Sequence, residues 1–458
     1  MQSRFAVYFR FFPSFLLLSW LGFNAHAQND ICTHLNNDSY NYSGLIAYKA
    51  FLEKTEENNA SRLEKKIQKQ YDKIIAEKNT DIIKQLREKE FLFDDTVYPY
   101  LQNIFNHILE TNSLDKNQFH FFVDRTSAVN AYSYEDGTIV CNLGLLSIME
   151  NESQITMVLC HEFGHYLLNH VNTAIIKQLT RYNSPEFLSL VNKIKRQKYN
   201  TKTQLEDLLT VDVFDRSKHS RTQERAADSL GMLLFRNTGY NCKTVSRVFD
   251  LLDSSDNKIA VCPIQHFLKQ QGISADDDWF TPVKKMSFGA AIKKETADSL
   301  KTHPDCAQRK ITMQQHFDKN PKAGTDFLIS NAQNLAAIKK IAFFNEATYS
   351  KDKDNLGFYF YQLIQNNALF PSDNCIKTEI FETLSSICKH QKAHTLYMVV
   401  GSQYIPENEN DEYAKLLKLL DSISLKKMIE ITNTYYQNNK SLITASTEAI
   451  NNLNTLIN

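Results

Sequence analysis

The chain has 458 residues, with 52 Lys and Arg against 52 Asp and Glu, so its formal net charge is zero. That balance excludes bulk attraction to nucleic acid or an anionic membrane as the basis of function. The length suits two or three domains with a real core, and the eight cysteines permit disulfides without making the fold depend on them.

Residues 1–27 read as a signal peptide. Arg4 and Arg10 supply positive charge, Phe11 to Phe23 is mostly apolar, and Ala25-His26-Ala27 gives a small-x-small pattern cut after Ala27. No later stretch reaches 18 consecutive apolar residues, so no membrane span is expected after signal removal. The expectation is an exported protein, periplasmic in a Gram-negative cell. Residues 28–90 form a charged N-terminal region. Within it Leu63, Ile67, Tyr71, Ile74 and Ile75 mark an amphipathic helix. Asp94-Asp95-Thr96 caps a second helix running to Leu109, with Val97, Leu101, Ile104, Phe105 and Ile108 as its buried stripe. Phe119 to Asp124 and Thr138 to Asn142 read as short strands.

The chemistry concentrates at Val158-Leu159-Cys160-His161-Glu162-Phe163-Gly164-His165-Tyr166. Residues four apart share a helix face, so His161 and His165 aim at one point, where a zinc ion takes two ligands. Glu162 reaches the edge of that point and is placed to take the proton of a water attacking a carbonyl. The plain alternative is a surface helix with solvated histidines. Against it, Ile155, Val158, Leu159, Leu167 and Leu168 argue for burial, and buried histidines and glutamates need partners. Cys160 faces away from the point and reads as a buried thiol.

Catalytic zinc usually takes three protein ligands. One peptidase subclass places a glycine three residues and a histidine six residues after the second motif histidine; Leu168 and Val171 stand there instead, excluding it. His170 falls off the ligand face and reads as a helix-end histidine. Residues 171–218 are polar and helical by pattern, with breaks at Asn183-Ser184-Pro185 and Asn200, and suit either a lid or a passive hairpin. Beyond them, Glu224 and Asp228 lie one turn apart around small Ala226 and Ala227. Glu224 could serve as third ligand, with Asp228 accepting from a ligand histidine and Arg221 pairing with either carboxylate. An ordinary solvated helix face would show the same spacing.

Together these motifs resemble the zinc endopeptidases of the HtpX, BepA and CAAX-prenyl-protease family. Flanking segments resemble it in order: Val129-Asn130-Ala131-Tyr132, Asp136 to Val140, Gly231, Gly239-Tyr240, and Thr302-His303-Pro304 with Arg309 beyond. The resemblance covers roughly residues 91–318. It implies an α+β, mostly helical fold: a gluzincin-type zinc peptidase domain with a small edge-stranded sheet, binding one Zn2+ per chain through His161, His165 and Glu224. It further implies that Thr126 to Tyr134 is an edge strand receiving an extended polypeptide, with Asn130 and Ala131 holding the substrate backbone. His303 resembles a loop histidine near the zinc that assists the reaction or shuts the site.

The Asn320-Pro321-Lys322-Ala323-Gly324 break suggests a boundary, with residues 319–458 an all-α solenoid or bundle lacking a convincing 34-residue repeat. By analogy with the family, these helices offer a dock for an envelope protein partner. The expected function is endoproteolysis of exported, misfolded envelope proteins with Glu162 as general base. The rival is a zinc-binding chaperone or assembly factor working through its helices; an intact Glu162 argues against it.

Overall fold

The structure is a computed structural model, and it describes residues 45–46, 48–53, 63–196, 221–255, 260–274, 280, 306–319, 321–400, 411–444 and 447–457. The expected signal peptide and His303 lie outside the described residues. The fold is mostly helical with one small sheet.

Helix α1 (Lys65–Arg87) buries Ile67, Tyr71, Asn79, Ile82 and Leu86. The expected stripe is thus displaced, since Ile74 is exposed. Helix α2 (Val97–Thr111) buries every residue of its expected stripe. Its cap is Asp94, whose carboxylate accepts from the Val97 and Tyr98 N–H groups at 3.1 and 2.8 Å.

Strands β1 (His120–Asp124), β2 (Ala131–Ser133) and β3 (Thr138–Asn142) form a sheet of order β1-β3-β2. β1 runs parallel to β3 and β2 antiparallel to it. The outer side of β1 is covered by the chain at residues 90–92, through Leu92 N–H to Val123 C=O and Arg125 N–H to Glu90 C=O. β2 therefore forms the other edge, as expected, but pairs over three residues only; Thr126 to Asn130 are not strand.

Helices α3 (Leu143–Ile148) and α4 (Glu152–Leu167) follow the sheet, and α4 packs against β2. Glu152 at the start of α4 is fully buried. Its carboxylate accepts from the Tyr240 hydroxyl at 3.0 Å and from the Leu328 and Ile329 N–H groups at 2.7 and 2.9 Å. The negative charge suits a helix N-terminus. Helices α5 (His170–Asn183) and α6 (Pro185–Lys195) are split at Ser184, whose hydroxyl accepts from Phe187 N–H, with Pro185 in the first turn. Helix α7 spans 221–237, followed by α8 (Val248–Ser255), α9 (Ile264–Gln270) and α10 (Cys306–Lys319).

The longer helices that follow are α11 (Ala332–Asp352), α12 (Leu356–Leu369), α13 (Asn374–Lys392), α14 (Glu412–Ser422), α15 (Leu425–Asn439) and α16 (Thr447–Ile457), with one short turn of helix at Leu396–Val399. One core joins the sheet, α2, α4 and the first half of α11. A second joins α9 and α12 to α16 with Phe344 and Ala347 of α11. No described helix is long and apolar enough to cross a membrane. Cys375 is disulfide-bonded, whereas Cys141, Cys160, Cys242, Cys262, Cys306 and Cys388 are buried and not in disulfides.

Candidate active site

The site forms where α4 and α7 cross at close range. A Cβ on Gly164 would lie 2.7 Å from the Ala227 carbonyl oxygen, and one on Gly231 would lie 3.1 Å from the His161 backbone. Only small residues allow that approach, and it brings the Glu224 carboxylate opposite both motif histidines.

His161 Nε2 and His165 Nε2 stand 3.0 Å apart. Glu224 lies 3.3 Å from each, through Oε2 and Oε1 respectively. A tetrahedral ion bonded at 2.0–2.1 Å would set its ligand atoms about 3.3 Å apart. The Glu224 carboxylate thus spans the two imidazoles, one oxygen toward each, and the three side chains lie close enough to hold one metal ion. Among the described residues, His161, His165 and Glu224 form the one such cluster.

The surroundings hold this triangle in place. His161 Nδ1 meets Asp228 Oδ1 at 2.9 Å. Arg309 on α10 donates from Nε and Nη2 to Asp228 at 2.8 Å each, and its Nη1 lies 3.2 Å from Glu224. Its guanidinium also covers the Phe249 ring at 4.9 Å. On the other histidine, His165 Nδ1 faces His170 Nδ1 at 3.1 Å.

The electrostatics follow from burial and these contacts. Burial disfavours the charge on Glu224, but the hydrogen bonds of His161 and His165 outweigh it and hold the carboxyl far below the usual range. Burial likewise opposes ionised Asp228, but His161 and Arg309 bring it down to about 2. Burial opposes a charged His161, yet Asp228 and Glu224 push it up to about 10. Glu162 is buried, and burial pushes its carboxyl up while the two histidines pull it down.

The structure thus brings together His161, Glu162, His165, Glu224 and Asp228. Arg309 lies on both carboxylates, and Arg221 is half-buried on α7. His170, read as a bystander, touches the site. Asn130 and Ala131 sit at the entry of β2.

Comparison with known proteins agrees with this geometry. Residues 96–315 match the model of peptidase family M48. The chain carries an M48 peptidase domain. The chain is 28% identical over 97 residues to the beta-barrel assembly-enhancing protease of Escherichia coli (strain K12), covering 21% of this chain and 20% of that protein. It is 29% identical over 142 residues to the mitochondrial metalloendopeptidase OMA1 of Arabidopsis thaliana, 31% of this chain and 27% of the relative. It is 26% identical over 145 residues to the metalloprotease YcaL of Escherichia coli (strain K12), 32% of this chain and 55% of the relative. The chain thus matches about a fifth of the length of the beta-barrel assembly-enhancing protease. The M48 domain contains His161, His165, Glu224, Asp228 and Arg309, all of which lie within residues 96–315.

Proposed function

We propose that the chain is an exported zinc metalloendopeptidase, with His161, His165 and Glu224 as metal ligands and Glu162 as general base. The observation that carries this reading is the convergence of His161, His165 and the two Glu224 carboxylate oxygens at 3.0–3.3 Å, with Glu162 on the same helix as the two histidines. Two imidazoles and a carboxylate are the ligand set of many zinc peptidases, and they leave a fourth position open.

When bound, zinc polarises a peptide carbonyl and acidifies the attacking water. Glu162 takes the water's proton as the water adds to the carbonyl carbon, and delivers it to the departing amine. Asp228, fixed by Arg309, holds the Nδ1 proton of His161 and so leaves the Nε2 lone pair for the metal. The β2 edge receives the substrate. Asn142 N–H bonds Asn130 C=O and Tyr134 N–H bonds Thr138 C=O. This alternation directs the N–H and C=O of Ala131 and Ser133 away from β3, where an extended peptide can pair as an added strand.

The substrates in this reading are misfolded envelope polypeptides, and the helices beyond residue 319 serve as a dock for an envelope partner. A relative named for beta-barrel assembly supports the substrate class. Export is supported by the signal-like residues 1–27 and by the Cys375 disulfide, a bond kept in oxidising compartments.

The test is Glu162→Gln. Casein cleavage should fall by about 10²- to 10⁴-fold, the usual weight of general acid–base catalysis, with zinc content unchanged. Undiminished cleavage by the zinc-loaded variant would remove the enzymatic role. If native and variant proteins are both inert yet complement a deletion equally, the chaperone reading holds instead.

A further inference from the structure

We propose that His170 is a positioning residue for the metal: its Nδ1 accepts the Nδ1 proton of His165 and so turns the His165 Nε2 lone pair toward the ion. The inference rests on the zinc reading above. On a continuous helix His170 would sit about 140° around the axis from His165, since each residue turns 100°. Instead α4 ends at Leu167, and Asn169 adopts a left-handed conformation with φ 57° and ψ 35° before α5 begins at His170. Asparagine is among the few non-glycine residues that visit this region routinely. The break folds the His170 ring back to 5.0 Å from the His165 ring, inclined at 76°, with the two Nδ1 atoms at 3.1 Å.

Two neutral imidazoles at that distance need one donor and one acceptor. If His170 donated, His165 would carry its proton on Nε2, the atom facing His161 Nε2 at 3.0 Å, and would have no lone pair for a metal. Metal binding therefore fixes the direction: His165 donates and His170 accepts. Each motif histidine then has its own orienting partner, Asp228 for His161 and His170 for His165.

The experiment measures zinc affinity by competition with a chromophoric chelator for the full chain, His170→Ala, His170→Asn and His170→Gln, with melting temperatures of the metal-free forms. Asn places an acceptor oxygen near the position of Nδ1, whereas Gln places it one bond farther out. His170→Ala should bind zinc about 10- to 100-fold more weakly, the usual cost of losing such a partner. His170→Asn should stay close to native, His170→Gln should resemble His170→Ala, and all metal-free melting temperatures should match native. Native affinity in His170→Ala, or equal weakness in the Ala and Asn variants, would overturn the proposal while leaving the zinc site standing. A metal-free melting temperature that falls in step with affinity would make His170 structural and also overturn it. A native chain that takes up no zinc would overturn both readings.

Discussion

Arg309 bridges the two carboxylates that face the motif histidines from α7. It is buried, its two-pronged grip on Asp228 runs at 2.8 Å on both arms, and it lies 3.2 Å from Glu224. Burial opposes its charge, yet Asp228 and Glu224 hold its pKa above the ordinary arginine value. Removing one partner of such a buried cluster typically costs 3–5 kcal/mol, because the remaining charges are left uncompensated. Arg309→Ala should therefore lose stability of about that size in denaturant titration and bind zinc about 10- to 100-fold more weakly. Arg309→Lys restores charge but not the planar fork, so it should recover only part of both losses. Native stability in Arg309→Ala would show that the cluster balances its charge otherwise. At this scale His161, His165, Glu224 and Asp228 were legible because each pair sits one helical turn apart. Arg309 entered only as part of the family resemblance and without a role, since it stands 81 positions from Asp228 on another helix. His170 was not legible, because the sequence pattern gave no sign that Asn169 breaks the helix.

Between elements, the site depends on how near α4 and α7 lie. A methyl group on Gly164 would meet the Ala227 carbonyl oxygen at 2.7 Å, and that oxygen is backbone that cannot swing away. Gly164→Ala gains about 0.5–1 kcal/mol of helix propensity. Overpacking costs about 1–3 kcal/mol and outweighs it. The variant should melt lower than native and hold zinc more weakly, because parting the helices moves Glu224 from the histidines. A raised melting temperature would contradict the close crossing. The crossing was partly legible: Ala226 and Ala227 signalled close approach, and Ala227 is fully buried. Helix α2 and strands β1 and β3 follow their apolar patterns closely. The edge strand proved shorter than expected, with only Ala131–Ser133 paired to β3.

For the whole molecule, α11 carries the contact between the two cores. Leu335, Ile338, Ile341 and Ala342 face the first, and Phe344 and Ala347 the second. Packing is thus continuous across the proposed boundary near residue 319, which a Pro/Gly break in sequence does not reveal. On the same helix, Glu346 is 7% exposed, with Oε1 buried and unbonded. Burial pushes its carboxyl up to about 8. An acid raised in the folded state is protonated there while the unfolded chain ionises. Stability should therefore be greatest below about pH 4.5 for this group and fall as pH rises to about 8, by a few kcal/mol. Glu346→Gln removes the dependence: it should be more stable than native at pH 8 and close to native at pH 4.5, read by denaturant titration at both. An advantage that is the same at both pH values would contradict a neutral buried Glu346.

The central claim is that residues from two helices make one catalytic metal site. Elemental analysis of the purified chain beside Glu224→Ala tests it most directly. The account predicts about one zinc per native chain and little or none in the variant. Full zinc retention in Glu224→Ala, or a native chain without metal after zinc loading, would contradict it.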